Sequence, residues 1–163
     1  MTTKSRELLA ELIEQGVLTE EDALLTDANG FREALAHKLV ERVSGTEPRL
    51  VILTPKGRRV GGLKGEARGR VRPEALYGKL GERHLTRLLG WSGWTFMQKV
   101  KPHLLIFRKE DDVYCAAIKF RGLNARTVRR YERIVHARYP NKVLHIFTHR
   151  ERMCTMEEIT GKP

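Results

Sequence analysis

Cysteine is scarce in this chain, long apolar runs are missing, and acid is rare in its second half. The only cysteines, Cys115 and Cys154, are far apart in sequence, which suggests no disulfide or zinc framework and fits a reducing cytoplasm. Cys115 lies inside an apolar run, where a free thiol behaves as a small hydrophobe. No apolar run reaches membrane-spanning length, and the N-terminus is polar from Thr2 to Glu7, so neither a membrane partner nor a signal peptide is expected. Aromatics make up 7% of the chain, and four of them, Tyr77, Trp91, Trp94 and Phe96, fall close together. Core or interface packing is the ordinary use of such a group, and stacking on unpaired bases is the alternative.

The acid deficit is local. Residues 1–47 hold five Lys/Arg (Lys4, Arg6, Arg32, Lys38, Arg42) against ten Asp/Glu, whereas residues 48–163 hold 26 against ten. The front is therefore net −5 and the back net +16, within a total of +11. A basic excess confined to one part of a chain points to a polyanionic partner, most often nucleic acid. Hydrophobic content of 40% is enough for a real core and excludes global disorder.

The centre of the back portion is Lys99 to Phe120. Leu104–Phe107 and Val113–Ile118 are short apolar runs separated by a charged turn, Arg108 to Asp112. Runs of this length with both faces apolar suit strands in the middle of a sheet. Before them, Glu74 to Leu89 reads as helix interrupted at Gly78 and Gly81, with Glu82 to Leu89 as its better part. Gly90-Trp91-Ser92-Gly93 reads as a turn, and Trp94 to Val100 as a strand. After them come a helix from Asn124 to Tyr139, capped by Asn124, a strand at Val143 to Thr148, and a polar tail.

In the front portion, Leu8, Leu9, Leu12 and Ile13 share one helical face that stops at Gly16. Thr19-Glu20-Glu21-Asp22 has the form of a capping box and opens a short helix through Leu25. Asp27 or Asn29 caps a third helix with Phe31, Leu35, Leu39 and Val43 on its apolar face. Leu50–Leu53 reads as a strand, and Thr54-Pro55 as the cap and first residue of a further helix ended by Gly61-Gly62. Three helices, a turn and a strand resemble a winged helix-turn-helix. Leu53-Thr54-Pro55-Lys56-Gly57-Arg58-Arg59 is similar to the run that comes after the wing in many such domains. The resemblance implies a third helix in the major groove, offering Arg32, His37, Lys38 and Arg42 to the bases.

Residues 56–72 carry seven cations, Lys56, Arg58, Arg59, Lys64, Arg68, Arg70 and Arg72, against Glu66 alone. With Gly61, Gly62, Gly65 and Gly69 they read as a flexible basic tether suited to phosphate contact. The rest of the chain, in the order helix, three strands, helix, strand, resembles the core of the PD-(D/E)XK nuclease fold. The resemblance aligns Glu82 with the family's helix glutamate, Pro102-His103 with its proline-aspartate, and Ala117-Ile118-Lys119 with its (Asp/Glu)-x-Lys. The lysine is present and both central carboxylates are replaced, so the resemblance implies a fold without an intact Mg2+ site and with no cofactor. The whole layout also resembles the replication-relaxation proteins of mobile elements.

The resulting expectation is an α+β chain. A winged helix-turn-helix-like domain covers 1–60, a basic linker 61–73, a small mixed α/β sandwich of restriction-endonuclease-like αβββαβ topology 74–150, and a polar tail 151–163. On the 124–139 helix, Ala125, Val128, Tyr131, Ile134 and Val135 form a buried stripe, while Arg126, Arg129, Arg130 and Arg133 crowd the exposed side. Lys99, Lys101, Lys119 and Arg121 extend that surface. The expected function is double-strand DNA binding in the control of replication or transcription of a plasmid, phage or other mobile element. Rival readings are a structure-specific endonuclease using Glu82, Lys119 and Mg2+, a phage-type inhibitor gripping a host enzyme through the acidic front, and RNA binding. A homodimer is compatible with any of them.

Overall fold

The structure, a computed structural model, describes residues 3–63, 72–149 and 156–159. Two compact units, Met1–Leu80 and Gly81–Pro163, divide the chain. No helix among the described residues is long and apolar enough to cross a membrane.

The front unit begins with α1 (Thr3–Gln15), β1 (Leu18–Thr19), α2 (Glu20–Ala36), β2 (Val40–Arg42), β3 (Leu50–Leu53) and α3 (Pro55–Val60). Its sheet is antiparallel, in the order β1-β3-β2, with β3 buried along its whole length. Leu8, Leu9 and Leu12 of α1 pack with Phe31, Ala34, Val51 and Leu53 in one core, and Gly16, at φ +77, ends α1 as expected. Thr19 caps α2 by accepting the Asp22 N–H at 3.0 Å. The two helices expected at 20–25 and after Asp27 are both present within α2, separated by the non-helical Asp27 (φ −165, ψ 100). There the Asp27 carboxylate accepts the Asn29 N–H at 3.1 Å, which makes Asp27 the cap of the second segment.

The helix expected to run from Phe31 to Val43 ends instead at Ala36. Lys38 takes the left-handed conformation (φ +55) that a glycine usually supplies, and the Leu39 N–H returns to Ala34 O at 2.8 Å. Val40–Arg42 then pairs with Leu53–Val51. The apolar spacing of Leu35, Leu39 and Val43 fits a helix, but the β-branched Val40 has a strand partner to pair with and ladder formation prevails.

The back unit is a mixed sheet in the order β4 (Thr95–Lys101), β5 (Leu104–Lys109), β6 (Asp112–Phe120), β7 (Leu144–His149), β8 (Met156–Ile159). β5 and β6 form the expected antiparallel hairpin, and β6 runs parallel to β7 through the crossover helix α5 (Ala125–Arg138). Leu105, Phe107, Ala116 and Ile118 pack on Leu85, whereas Leu104, Ile106, Cys115 and Ala117 pack on Tyr131 and Val135 of α5. Both faces of the hairpin are thus covered. Part of the sequence expected to be tail supplies β8, antiparallel to β7.

Gly78 and Gly81 do not interrupt the helix before the sheet. α4 (Pro73–Trp91) is continuous and includes Gly90 and Trp91, which were expected in a turn. A Cβ on Gly81 would stand 2.4 Å from the buried His149 ring, so this glycine allows α4 to approach β7. The intrinsic cost of a helical glycine, about 1 kcal/mol, is offset by that packing.

Gly57 makes the tightest approach of the front unit: a Cβ there would lie 1.9 Å from the Leu39 carbonyl oxygen. Gly57→Ala is expected to destabilise the chain by about 1–3 kcal/mol through forced backbone movement. Gly78→Ala, with nothing within 4 Å, is expected to stabilise it by about 0.4–1 kcal/mol. Chemical denaturation of the two variants checks both signs.

Candidate nucleic-acid interface

α5 owes its position to its sequence at both ends and along one side. The Asn124 carboxamide accepts the Thr127 N–H at 2.8 Å, and Tyr131 and Val135 anchor the helix to the sheet, with Ile134 partly buried beside them. Ala125, expected in the buried stripe, is exposed. Arg126, Arg129, Arg130 and Arg133 are all exposed and, with Thr127, line a groove of about 600 Å³. Arg130 lies over the Tyr131 ring at 5.5 Å. Among the described residues, the side chains of Arg126, Arg129 and Arg133 make no hydrogen bond or ion pair. Like charges at three- and four-residue spacing repel by a few tenths of a kcal/mol per pair, and Glu132, the one acid of α5, forms no ion pair with these arginines among the described residues.

The front-unit cations are differently placed. Arg42 lies on β2, not on the expected helix, and donates to Glu20 at 2.6 and 2.9 Å while covering the Phe31 ring. Arg49 also approaches Glu20, at 3.6 Å. The hydrogen bond from Arg42, assisted by both positive charges, holds the Glu20 carboxyl below its ordinary range against the opposing effect of burial. Arg32 reaches Asn29 at 3.4 Å. His37 ends α2, and its carbonyl accepts from the Lys56 ammonium at 2.9 Å. Lys38 sits in the turn beyond it, so the four residues expected along one recognition helix are spread over helix, turn and strand. Arg59 and Arg72 are exposed and Arg58 is half-buried, while Lys64, Arg68 and Arg70 lie outside the described residues.

The residues aligned with the nuclease motif do converge. Glu82 on α4 accepts from the Lys99 ammonium of β4 at 2.7 Å. His103, in the β4–β5 turn, has φ +141, held by its N–H to Lys101 O at 2.8 Å and by the Ile118 N–H to its own carbonyl at 2.9 Å. A non-glycine residue so far into positive φ is strained. Burial is the largest influence lowering the His103 pKa, followed by the charges of Lys119 and Lys99, with Glu82 opposing them. Lys119 is exposed at the end of β6, Ala117 is buried, and Lys101 and Arg121 are exposed nearby in sequence, with Arg121 over the Phe120 ring at 5.1 Å.

This donor set does not suit a hard divalent cation, which needs several oxygen ligands. Among the described residues, no three His, Cys, Asp or Glu side chains gather to hold a metal. His145 and His149 are placed for ring packing, His145 stacked on Tyr114 at 4.2 Å and His149 against Phe120 at 5.2 Å. Burial raises the Cys115 thiol to about 11, which makes it unreactive. Of the four grouped aromatics, Tyr77 is buried and bonds Glu47 and Pro48, Trp94 packs on Tyr114, Phe96 meets Phe107 edge-on, and Trp91 is 75% exposed.

The Glu20 clamp and the Glu82–Lys99 pair were not legible in the sequence. Their partners are 22 and 17 residues apart, and no local spacing marks them. Comparison with protein families, curated proteins and solved structures finds no match to this chain. What stands is an α+β chain with two small sheets.

The electrostatics around His103 give a directional expectation. Its imidazole should titrate below its ordinary 6.5. Neutral His103 therefore contributes stability in full above pH 6.5, and that contribution is lost as pH falls from 6.5 through the lower folded value. Lys119→Gln should raise the midpoint and Glu82→Gln should lower it further, as read from the ring-proton chemical shift. Movement in the opposite directions would separate these side chains from His103.

Proposed function

We propose that this chain binds double-stranded DNA through its back unit, in the control of replication or transcription on a plasmid, phage or other mobile element. The observation that carries the reading is the α5 face, with four exposed arginines of which three have no partner among the described residues. A guanidinium row without counter-charge, in a portion of net +16, is complementary to a phosphate backbone, and each contact releases condensed counterions.

The β1-β3-β2 order of the front sheet, preceded and interrupted by helices, supports a winged-helix reading of that unit. The order α4, β4, β5, β6, α5, β7 supports a nuclease-like reading of the other. Both assignments belong to the proposal, as does the mobile-element role, which leans on resemblance. Because Arg42 and Arg49 are held by Glu20, affinity is assigned to the back unit and the basic 56–72 segment.

One observation favours a second reading. Glu82, His103 and Lys119 meet at one place, as a structure-specific endonuclease would require. Incubation of junction, flap and duplex DNA with Mg2+ or Mn2+ decides between the two: nicking that disappears in Glu82→Ala establishes the second.

For the first reading, log K should fall linearly with log salt concentration. Replacing Arg126, Arg129, Arg130 and Arg133 together with Gln should flatten that slope by about 2–4 and leave the unfolding midpoint unchanged or raised. Gel-shift or anisotropy titrations at several salt concentrations measure it. An unaltered slope in the quadruple variant would assign the affinity elsewhere.

A further inference from the structure

We infer that α5 is the element that enters the major groove, and that its arginines select guanine. The inference rests on the DNA-binding reading above and assigns to the back unit the base contacts that the sequence pattern places on the front helix.

The geometry of α5 supports it. At 100° per residue, Arg126, Arg129, Arg130 and Arg133 lie within an arc of about 100°, and Tyr131 and Val135 lie on the opposite side. Those two are 1% and 2% exposed, fixed on the sheet, so the arginines project directly away from the unit. Arg126 and Arg133 are about 10 Å apart along the helix axis. The major groove, about 12 Å wide and 8.5 Å deep, admits one α-helix.

The chemistry of the side chains narrows the reading. α5 carries Arg126, Arg129, Arg130, Arg133 and Arg138, and no lysine. A point charge is served equally well by lysine, whereas the planar guanidinium fork presents two parallel donors that match a phosphate or a two-acceptor base edge. Guanine O6 and N7 are the matching acceptor pair in the major groove. Glu132, the single acid of α5, falls on its flank and not among the four arginines. Front-unit residues expected to read bases are less suited: Arg42 is clamped by Glu20, and Lys38 lies in a strained turn.

The test compares two duplexes of one guanine-rich sequence, one with guanine and one with 7-deazaguanine, which retains pairing and phosphates but lacks the N7 acceptor. The full chain should bind the deaza duplex about tenfold more weakly. Replacing Arg126, Arg129, Arg130 and Arg133 together with Lys, which conserves charge, should keep the salt slope and weaken the preference. Salt-dependent binding of equal strength on both duplexes overturns the groove assignment alone. Absence of binding to any duplex overturns the DNA reading as well. Equal affinity for an RNA duplex also overturns the assignment, because the A-form major groove is too narrow for a helix.

Discussion

Leu104, Leu105, Ile106 and Phe107 are each at most 2% exposed, and their side chains alternate between the two faces of the sheet. Cys115, Ala116, Ala117 and Ile118 do the same on the neighbouring strand. This two-sided burial sets the rest of the back unit. A hairpin apolar on both faces must be covered twice, by Leu85 of α4 on one side and by α5 on the other. Fully burying one large apolar side chain contributes about 1.5–3 kcal/mol, so Tyr131 and Val135 outweigh the few tenths lost to each pair of like charges. The arginine face is therefore maintained against its own repulsion by the sheet beneath it. Its exposure is a result of the packing and needs no ligand to hold it open.

The front unit settles its charges internally. Glu20, the first residue of α2, draws in Arg42 from β2 and Arg49 from the turn before β3. These pairs are partly exposed, where an ion pair contributes about 0–1 kcal/mol; their larger effect is on the potential, since two cations face a carboxylate held ionised. Thr54 has a related role among neutral groups. Its hydroxyl donates to Lys38 O at 2.6 Å and accepts the Gly57 N–H at 3.0 Å, tying the end of α2 to the start of α3. The Leu-Thr-Pro-Lys-Gly run thus has a structural explanation in this chain: a cap, a helix-starting proline and a glycine that must pass against Leu39.

Elements governed by local chemistry were legible in the residues. Thr19, Thr54 and Asn124 cap the helices they were expected to cap, and the β5–β6 hairpin matches its apolar runs. What escaped was decided at a distance. Val40 leaves the helical pattern because Leu53 lies opposite it, and Gly81 stays helical because His149 needs the space. The α5 arginines were readable as a face because 3.6-residue periodicity is local information. Their lack of partners depends on where every acid in the described chain ends up, which no periodicity encodes. Glu20 and Glu82 show the point: each is an ordinary helix glutamate in sequence, and each meets a cation on a strand.

Glu82, Lys99, His103 and Lys119 bring together one carboxylate, two ammonium groups and an imidazole held toward its neutral form. The cluster is net positive, and its one carboxylate is already engaged. A divalent cation placed there would have to displace Lys99 from Glu82 and sit beside Lys119. Two like unit charges at 4 Å repel by about 4 kcal/mol at an effective dielectric of 20, and a divalent ion doubles that. An anion experiences the reverse at the same place. The strain at His103 belongs to this comparison, because a φ of +141 stabilised by two backbone hydrogen bonds keeps the imidazole in the company of both lysines. On the DNA-binding reading proposed above, this balance suits a phosphate better than a divalent cation, and the cluster lies on the same unit as the arginine face of α5.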